Sequence, residues 1–174
     1  MGAGEKEGVG TLQPVCHSVE EHFAEEYGIT YNTSMYRIVI DTNVFVSALR
    51  SNKGASFRLL SMTGTGKFDL CISVPLILEF ETVAKKQAKI LGLEPNDIDD
   101  ILDYLCAVGN KRKIFYLWRP LLKDPKDDMI LELAVESNSS WIITYNKRDF
   151  EECKRFNIGV ATPKELLQRL GELS

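Results

Sequence analysis

Histidine is nearly missing from this chain, with 2 in 174 residues, His17 and His22. No imidazole lies beyond residue 22, so the body of the protein cannot build a Ser-His or Cys-His nucleophile pair. Cysteine is equally sparse. Cys16, Cys71, Cys106 and Cys153 form no Cys-x-x-Cys pair, which leaves neither a zinc frame nor a disulfide framework and implies packed, reduced thiols. A positive surplus is absent too: 21 Lys+Arg stand against 25 Asp+Glu, a formal charge of -4. No overall field therefore draws the protein to nucleic acid or anionic lipid, and any such contact must come from a local patch. No apolar run approaches membrane-spanning length, and the opening Met-Gly-Ala-Gly-Glu-Lys-Glu-Gly has no apolar centre of the secretory kind. A cytoplasmic protein without membrane contact is the expectation.

What is there is ordinary globular material, 44% hydrophobic and 26% charged, in a chain long enough to bury roughly 70% of its unfolded surface. Residues 1–34 are Gly-rich and then acidic, with Val19, Phe23 and Tyr27 at i, i+4, i+8; they read as an N-terminal arm before a folded domain over 35–174. From residue 36 onward, short β-branched runs alternate with helix-period segments. Strands are predicted at 37–40, 70–73, 113–116, 141–144 and 159–161. Helices are predicted at 43–50, 55–62, 75–91, 95–108, 125–136, 148–155 and 163–170. Ser73 before Pro75, Asp124 before Pro125 and Thr162 before Pro163 are helix-start signals. The alternation implies βαβ units and an α/β fold, a mostly parallel sheet with helices on both faces. In such sheets the chemistry gathers at the carboxyl ends of the strands.

Acids stand at those ends. Asp41 follows the first strand, where it serves equally as the cap of the next helix or as a catalytic acid. Glu79 shares a helix side with the apolar stripe Leu76, Phe80 and Val83, and none of its i±3 and i±4 neighbours is a cation. An unpaired carboxylate beside an apolar stripe is costly unless something compensates it. Glu81, with Lys85 at i+4, reads as an ordinary surface pair. In Asp124-Pro-Lys-Asp127-Asp128, Asp124 and Asp127 could form a reciprocal cap, yet Asp127 lies on the stripe of Ile130 and Ala134 and so turns inward; Asp128 is the alternative. Asn146 and Asp149 read as a cap with its return contact or as metal-site groups.

Two carboxylates about 5 Å apart repel by about 3 kcal/mol at an effective dielectric near 20. Asp41, Glu79 and Asp127 at one sheet edge therefore call for a divalent cation, and all-oxygen ligands select Mg²⁺ or Mn²⁺ over zinc. A hard cation with open positions suits phosphodiester hydrolysis.

The set Arg37-Ile-Val-Ile-Asp41-Thr-Asn-Val44, then Ser73-x-x-x-x-x-Glu79, then Asp124-Pro-Lys-Asp127-Asp128-x-Ile-Leu-Glu-Leu-Ala134, then Ile142-Ile-Thr144-x-Asn146-Lys-x-Asp149-Phe150 resembles the PIN domain family in order and spacing. The closest likeness is to bacterial PIN proteins described as toxins of toxin-antitoxin pairs. The resemblance implies a three-layer α/β sandwich and a metal-dependent endoribonuclease, often a homodimer held inactive by a small antitoxin protein. Carried over by position, Asp41, Glu79 and Asp127 match the main metal-site acids. Asn146 replaces the family's frequent fourth Asp, with Asp149 as its substitute, so one tightly held ion is expected. Thr42, Asn43, Ser73 and Thr144 are expected to orient these acids. Candidate RNA contacts are Arg50, Lys53, Lys85 and Lys86, with Lys89 and the run Lys111-Arg112-Lys113 beside them. Tyr145 could stack a base but is expected to be a packed aromatic.

Two rivals remain open. A phosphatase of the haloacid dehalogenase type would need an acid where Asn43 stands. A PIN-fold binding module with weak catalysis would keep the scaffold and work through partner contacts alone.

Overall fold

Strand β1 (Tyr36–Ile40) ends in three residues with essentially no solvent exposure, Ile38, Val39 and Ile40, as a strand covered on both faces must. The computed structural model describes residues 35–115, 119, 121, 122, 124 and 126–173. The expectations for residues 1–34, including the Val19, Phe23, Tyr27 stripe and Cys16, lie outside the described residues.

The described elements continue with α1 (Thr42–Arg50), α2 (Ala55–Ser61), β2 (Phe68–Ile72), α3 (Val74–Leu91), α4 (Pro95–Val108), β3 (Asn110–Lys111), α5 (Asp128–Glu136) and β4 (Trp141–Ile143). A 3-10 segment (Lys147–Phe156), β5 (Gly159–Ala161) and α6 (Pro163–Arg169) complete them. The sheet order is β3-β2-β1-β4-β5 and every pairing is parallel. The chain thus walks outward from β1 through β2 to β3, then returns to the other side of β1 for β4 and β5. Right-handed crossovers in two opposite directions put their helices on opposite faces, which gives the expected layered α/β sandwich. The reversal of direction also makes a switch point between the carboxyl ends of β1 and β4, where open α/β sheets form their clefts.

Two packing features fix the surroundings of that point. Phe45 of α1 and Phe80 of α3 stack with ring centroids 4.4 Å apart and planes 7° apart, both buried. This locks α3 against α1. Helix α5 packs across β1, β2 and β4, and its residues Asp128 to Ala134 are all buried. At the opposite edge, Gly159 lets β5 approach β4, because a Cβ there would strike the ring of Trp141.

Most predicted elements lie within a residue or two of the observed ones. Three differ. The third strand is two residues long and lies at Asn110–Lys111, ahead of the predicted 113–116: Gly109 ends α4, and only Asn110 and Lys111 reach β2 in register with Cys71 and Ile72. Helix α5 starts at Asp128 instead of 125 with Asp127, not Asp124, as its N-cap, because Asp124 accepts from Lys126 N–H at 3.0 Å in a local turn. The predicted helix at 148–155 is a 3-10 segment with non-helical backbone at Phe150. Thr162 does cap α6, in a reciprocal box with Glu165. Cys71, Cys106 and Cys153 are free thiols, and burial pushes Cys153 up to about 12. Among the described residues no helix is long and apolar enough to cross a membrane.

Candidate active site

Asp41 is where β1 stops being a strand. Its N–H donates to Ile143 C=O at 2.9 Å, the last bond of the ladder, while its own C=O already accepts from Val44 and Phe45 of α1. The side chain caps α1 through Asn43 N–H at 3.4 Å, so the capping account of Asp41 holds. It does not exhaust the residue. Thr144 Oγ1, at the end of β4, donates to Asp41 Oδ2 at 2.6 Å, and Asn43 Nδ2 donates to the same oxygen at 2.6 Å and to Thr144 Oγ1 at 3.1 Å. Asn146 N–H donates to Thr144 Oγ1 at 2.9 Å, and Tyr145 N–H to Asn43 Oδ1 at 3.3 Å. The switch point is stitched shut by side chains from both strand ends. Burial raises the Asp41 pKa above the usual carboxylate range. The Thr144 hydrogen bond and the Asn43 and Thr42 N–H groups oppose that shift, and the charge of Glu79 adds to it.

The Phe45–Phe80 stack brings Glu79 to α1, where its Oε1 accepts from Thr42 Oγ1 at 2.9 Å. Asp127, at the start of α5, faces the same place. Its pKa is pushed up to about 7, first by burial and then by the charges of Asp41, Asp124, Asp149 and Glu79. Its field thus reports acids brought together from four separate stretches of chain. Asp41, Asn43, Asp127 and Asn146 line a cleft of about 420 Å³ with Arg50, Val46, Val83 and Gln87.

A PIN domain family model matches residues 37–148, the stretch that carries β1, Glu79, Asp127 and the end of β4. The chain belongs to the PIN domain family. It is 32% identical over 145 residues to an uncharacterized protein of Methanocaldococcus jannaschii, an alignment covering 76% of this chain and 90% of that one. It also shares its fold with VapBC2 of Rickettsia felis, solved bound to a DNA fragment from their promoter: TM-score 0.50, 16% identity, 71% of this chain and 96% of that chain. PIN domains are in general nucleases.

Other residues of this PIN domain fall less uniformly. Asp128 is buried away from solvent, and its Oδ1 accepts from the N–H groups of Leu121 and Leu122 at 3.2 and 2.8 Å. Its carboxylate holds the loop before α5, which corrects its reading as an alternative to Asp127. Asn146 makes no side-chain cap, so the reciprocal cap with Asp149 is also corrected. Ser73 takes the N-cap position of α3 without a side-chain cap bond; its Oγ is buried with no hydrogen-bond partner among the described residues. Lys85 is held by Glu81 at 2.8 Å and Asp99 at 2.7 Å, which raises its pKa through the Asp99 and then the Glu81 hydrogen bond and occupies the ammonium expected for RNA. Arg50 lines the cleft and bonds Gln87 at 3.2 Å, while Lys53 and Lys86 are exposed. Tyr145, expected to be packed, is 47% exposed. Gln87 in the cleft has no local sequence signal: only the contact between α1 and α3 puts it there.

Among the described residues no three acid, histidine or cysteine side chains stand close enough to grip one ion between them. The donor chemistry nonetheless fits a hard divalent cation, because the groups in the cleft that could ligate one are carboxylate, hydroxyl and amide oxygens and the charges of four other acids reach Asp127.

Proposed function

We propose that this PIN domain is a Mg²⁺- or Mn²⁺-dependent endoribonuclease that hydrolyses RNA phosphodiesters. The observation that carries the reading is the meeting of Asp41, from the end of β1, with Asp127, from the start of α5, in one cleft, with Glu79 tied to α1 by Thr42 and the Asp127 pKa raised to about 7 by burial and by the charges of these and other acids. Asp41, Glu79 and Asp127 would hold the ion, with Asp149 near enough to add its charge. A bound ion supplies a Lewis acid that lowers the pKa of an attacking water and neutralises charge on the leaving oxygen. Thr144 Oγ1 and Asn43 Nδ2 fix Asp41 Oδ2 so that the carboxylate cannot rotate out of the cleft. Thr42 does the same for Glu79. Arg50 offers a guanidinium within the cleft for a phosphate, with Lys53 and Lys86 on the approach.

The motif set and the fold shared with VapBC2 support a toxin role, with a small antitoxin protein as partner, a homodimer and a cytoplasmic setting. The dehalogenase-type phosphatase loses ground, since Asn43 stands where the general acid would be and spends its amide on Asp41, Thr144 and Tyr145 N–H.

The test incubates purified protein with mixed RNAs, with and without Mn²⁺, beside Asp41→Asn. Cleavage that needs the metal, stops with a chelator and is lost in a folded Asp41→Asn supports the reading. Equal cleavage in the variant overturns it, and RNA bound but never cut favours the binding module.

A further inference from the structure

Helices α1 and α3 leave the sheet side by side. Near its start α1 is tied to α3 by Thr42 Oγ1, which donates to Glu79 Oε1 at 2.9 Å, and at its last residue by Arg50 Nη2, which donates to Gln87 Oε1 at 3.2 Å; each tie joins residues 37 apart in the chain. Equal spacing at both ties means that the helices run in the same direction, away from the acids, for about 12 Å at 1.5 Å per residue. Between the ties the cleft is walled by Val46 and Ser47 of α1 and Val83 of α3. Asn43, Ser47 and Arg50 stand at i, i+4 and i+7, on one face of α1. The cleft therefore grades from carboxylates, through an apolar stretch holding one hydroxyl, to a guanidinium. Thr82 of α3 returns its hydroxyl to Leu78 C=O at 2.7 Å. The Ser47 hydroxyl makes no such bond among the described residues and is left for a ligand.

We infer that Ser47 is the residue by which this domain tells RNA from DNA, its hydroxyl meeting the ribose 2′-hydroxyl of the nucleotide next to the scissile phosphate. The inference rests on the ribonuclease reading and adds how the sugar is chosen. Hydrolysis by an activated water leaves the 2′-hydroxyl out of the chemistry, because water is the nucleophile and a sugar oxygen at the end of the chain leaves. The phosphodiesters of RNA and DNA then look alike to the acids, and a preference for RNA has to come from a contact with the 2′-hydroxyl. Of the hydroxyls near the acids, Thr42 is spent on Glu79 and Thr144 on Asp41, which leaves Ser47. Its place suits the contact. It lies one turn of α1 beyond Asn43, whose amide is on Asp41, and one turn short of Arg50. A nucleic-acid backbone repeats phosphate, sugar, phosphate; the cleft offers acids, then Val46 and Val83 with the Ser47 hydroxyl between apolar walls, then a guanidinium, in the same order. The valines take the carbons of the sugar, and Arg50 takes the phosphate beyond it.

The alternative is that Ser47 is small only to let α1 lie close to α3. Ser47→Ala keeps that fit and the helix and removes the hydroxyl alone. An end-labelled oligoribonucleotide of mixed sequence is prepared whole and with a single 2′-deoxy nucleotide at each position in turn. Affinity for the full chain is read by fluorescence anisotropy at low salt with a chelator, and cleavage with Mn²⁺ is run in parallel. In wild type one 2′-deoxy position weakens binding about threefold to tenfold, the range of one neutral hydrogen bond. Ser47→Ala binds the all-ribose strand weaker by the same factor and is indifferent to that position, so the two losses do not add. An all-deoxy strand binds both proteins equally. Wild type indifferent to every single position overturns the inference, as does a variant that keeps the wild-type pattern. So does loss of the sensitive position in Asn146→Ala and not in Ser47→Ala, since Asn146 lines the acid end of the cleft. Cleavage keeps the two readings apart: RNA cut with the same sensitivity in both proteins sinks the role of Ser47 alone, and Ser47-dependent sensitivity without any cleavage sinks the nuclease alone.

Discussion

Helix α5 carries three acids within its first turns and treats each differently. Glu132 has no exposed side chain, and Arg119 meets both its oxygens, Nε to Oε1 at 3.3 Å and Nη2 to Oε2 at 3.2 Å. Asp128 is buried as well, and receives two backbone N–H groups. Asp127, half-buried and one residue earlier, receives neither and sits among other carboxylates. Glu132 is thus met at both oxygens and Asp128 at Oδ1, its Oδ2 having no hydrogen-bond partner among the described residues. At Asp127 the imbalance faces the cleft, and that contrast, more than burial, is the ground for proposing it as a site residue.

The contrast breaks most visibly at its compensated end. Arg119→Met takes from a buried carboxylate the guanidinium that binds it bidentately, an effect of about 3 kcal/mol and a drop of several degrees in melting temperature. A calorimetric scan showing no drop would mean that Glu132 is matched chiefly by something else. Next in size, Thr144→Val removes the hydroxyl that donates to Asp41 and keeps the shape. Mn²⁺ affinity by calorimetry should fall about 10- to 100-fold with little loss of fold. An unchanged affinity would show that Asp41 needs no orientation from β4.

Asp127→Asn should act in the opposite direction to Arg119→Met. The Asp127 pKa lies near 7 in the folded metal-free protein and near 3.8 when unfolded, so between these pH values the folded state binds more protons than the unfolded one. Stability therefore falls as pH rises from about 4 to about 7, and the deficit is complete above 7. Asp41, also raised by burial, adds in the same sense. Neutralising Asp127 should raise the melting temperature by a few degrees at pH 8, change little near pH 4, and abolish RNA cleavage. Mn²⁺ at pH 8 should stabilise the wild type more than the variant. A variant that melts lower at pH 8 would place Asp127 with Glu132 as a structural acid.

Much of this was legible in the residues. An apolar strand ending in Asp41, a Glu79 without a local cation and an Asp127 on an apolar stripe are features of period and charge, and those survive folding because burial drives both. The unread parts depend on contacts between distant segments. Asp128 looked interchangeable with Asp127 because nothing in the sequence says that Leu121 and Leu122 need a carboxylate for their N–H groups. Tyr145 looked like a packed ring because Ser56, its partner, is 89 positions away. Lys85 looked available to RNA despite the Glu81 visible at i+4, because an exposed pair is easily exchanged and Asp99 joins only when α4 folds back on α3. The two-residue β3 was misplaced for the same reason, since pairing with β2 and not local propensity decides where an edge strand lies.

The smallest expected effect separates the cations by the same logic of compensation. Lys85 is spoken for by two carboxylates, so Lys85→Ala should leave RNA affinity and its salt dependence where they are. Arg50 is hydrogen-bonded only to the neutral Gln87 among the described residues and lines the cleft. Each phosphate contact on a single strand contributes about 0.7 to the slope of log affinity against log salt. Arg50→Ala should therefore flatten that slope by about this amount and weaken binding at low salt more than at high salt. Titrations of one oligoribonucleotide at several salt concentrations read both variants. If Lys85→Ala flattens the slope and Arg50→Ala does not, then RNA approaches along α3, its phosphates displace Glu81 and Asp99 from the lysine, and an existing ion pair is no guide to which cations are free.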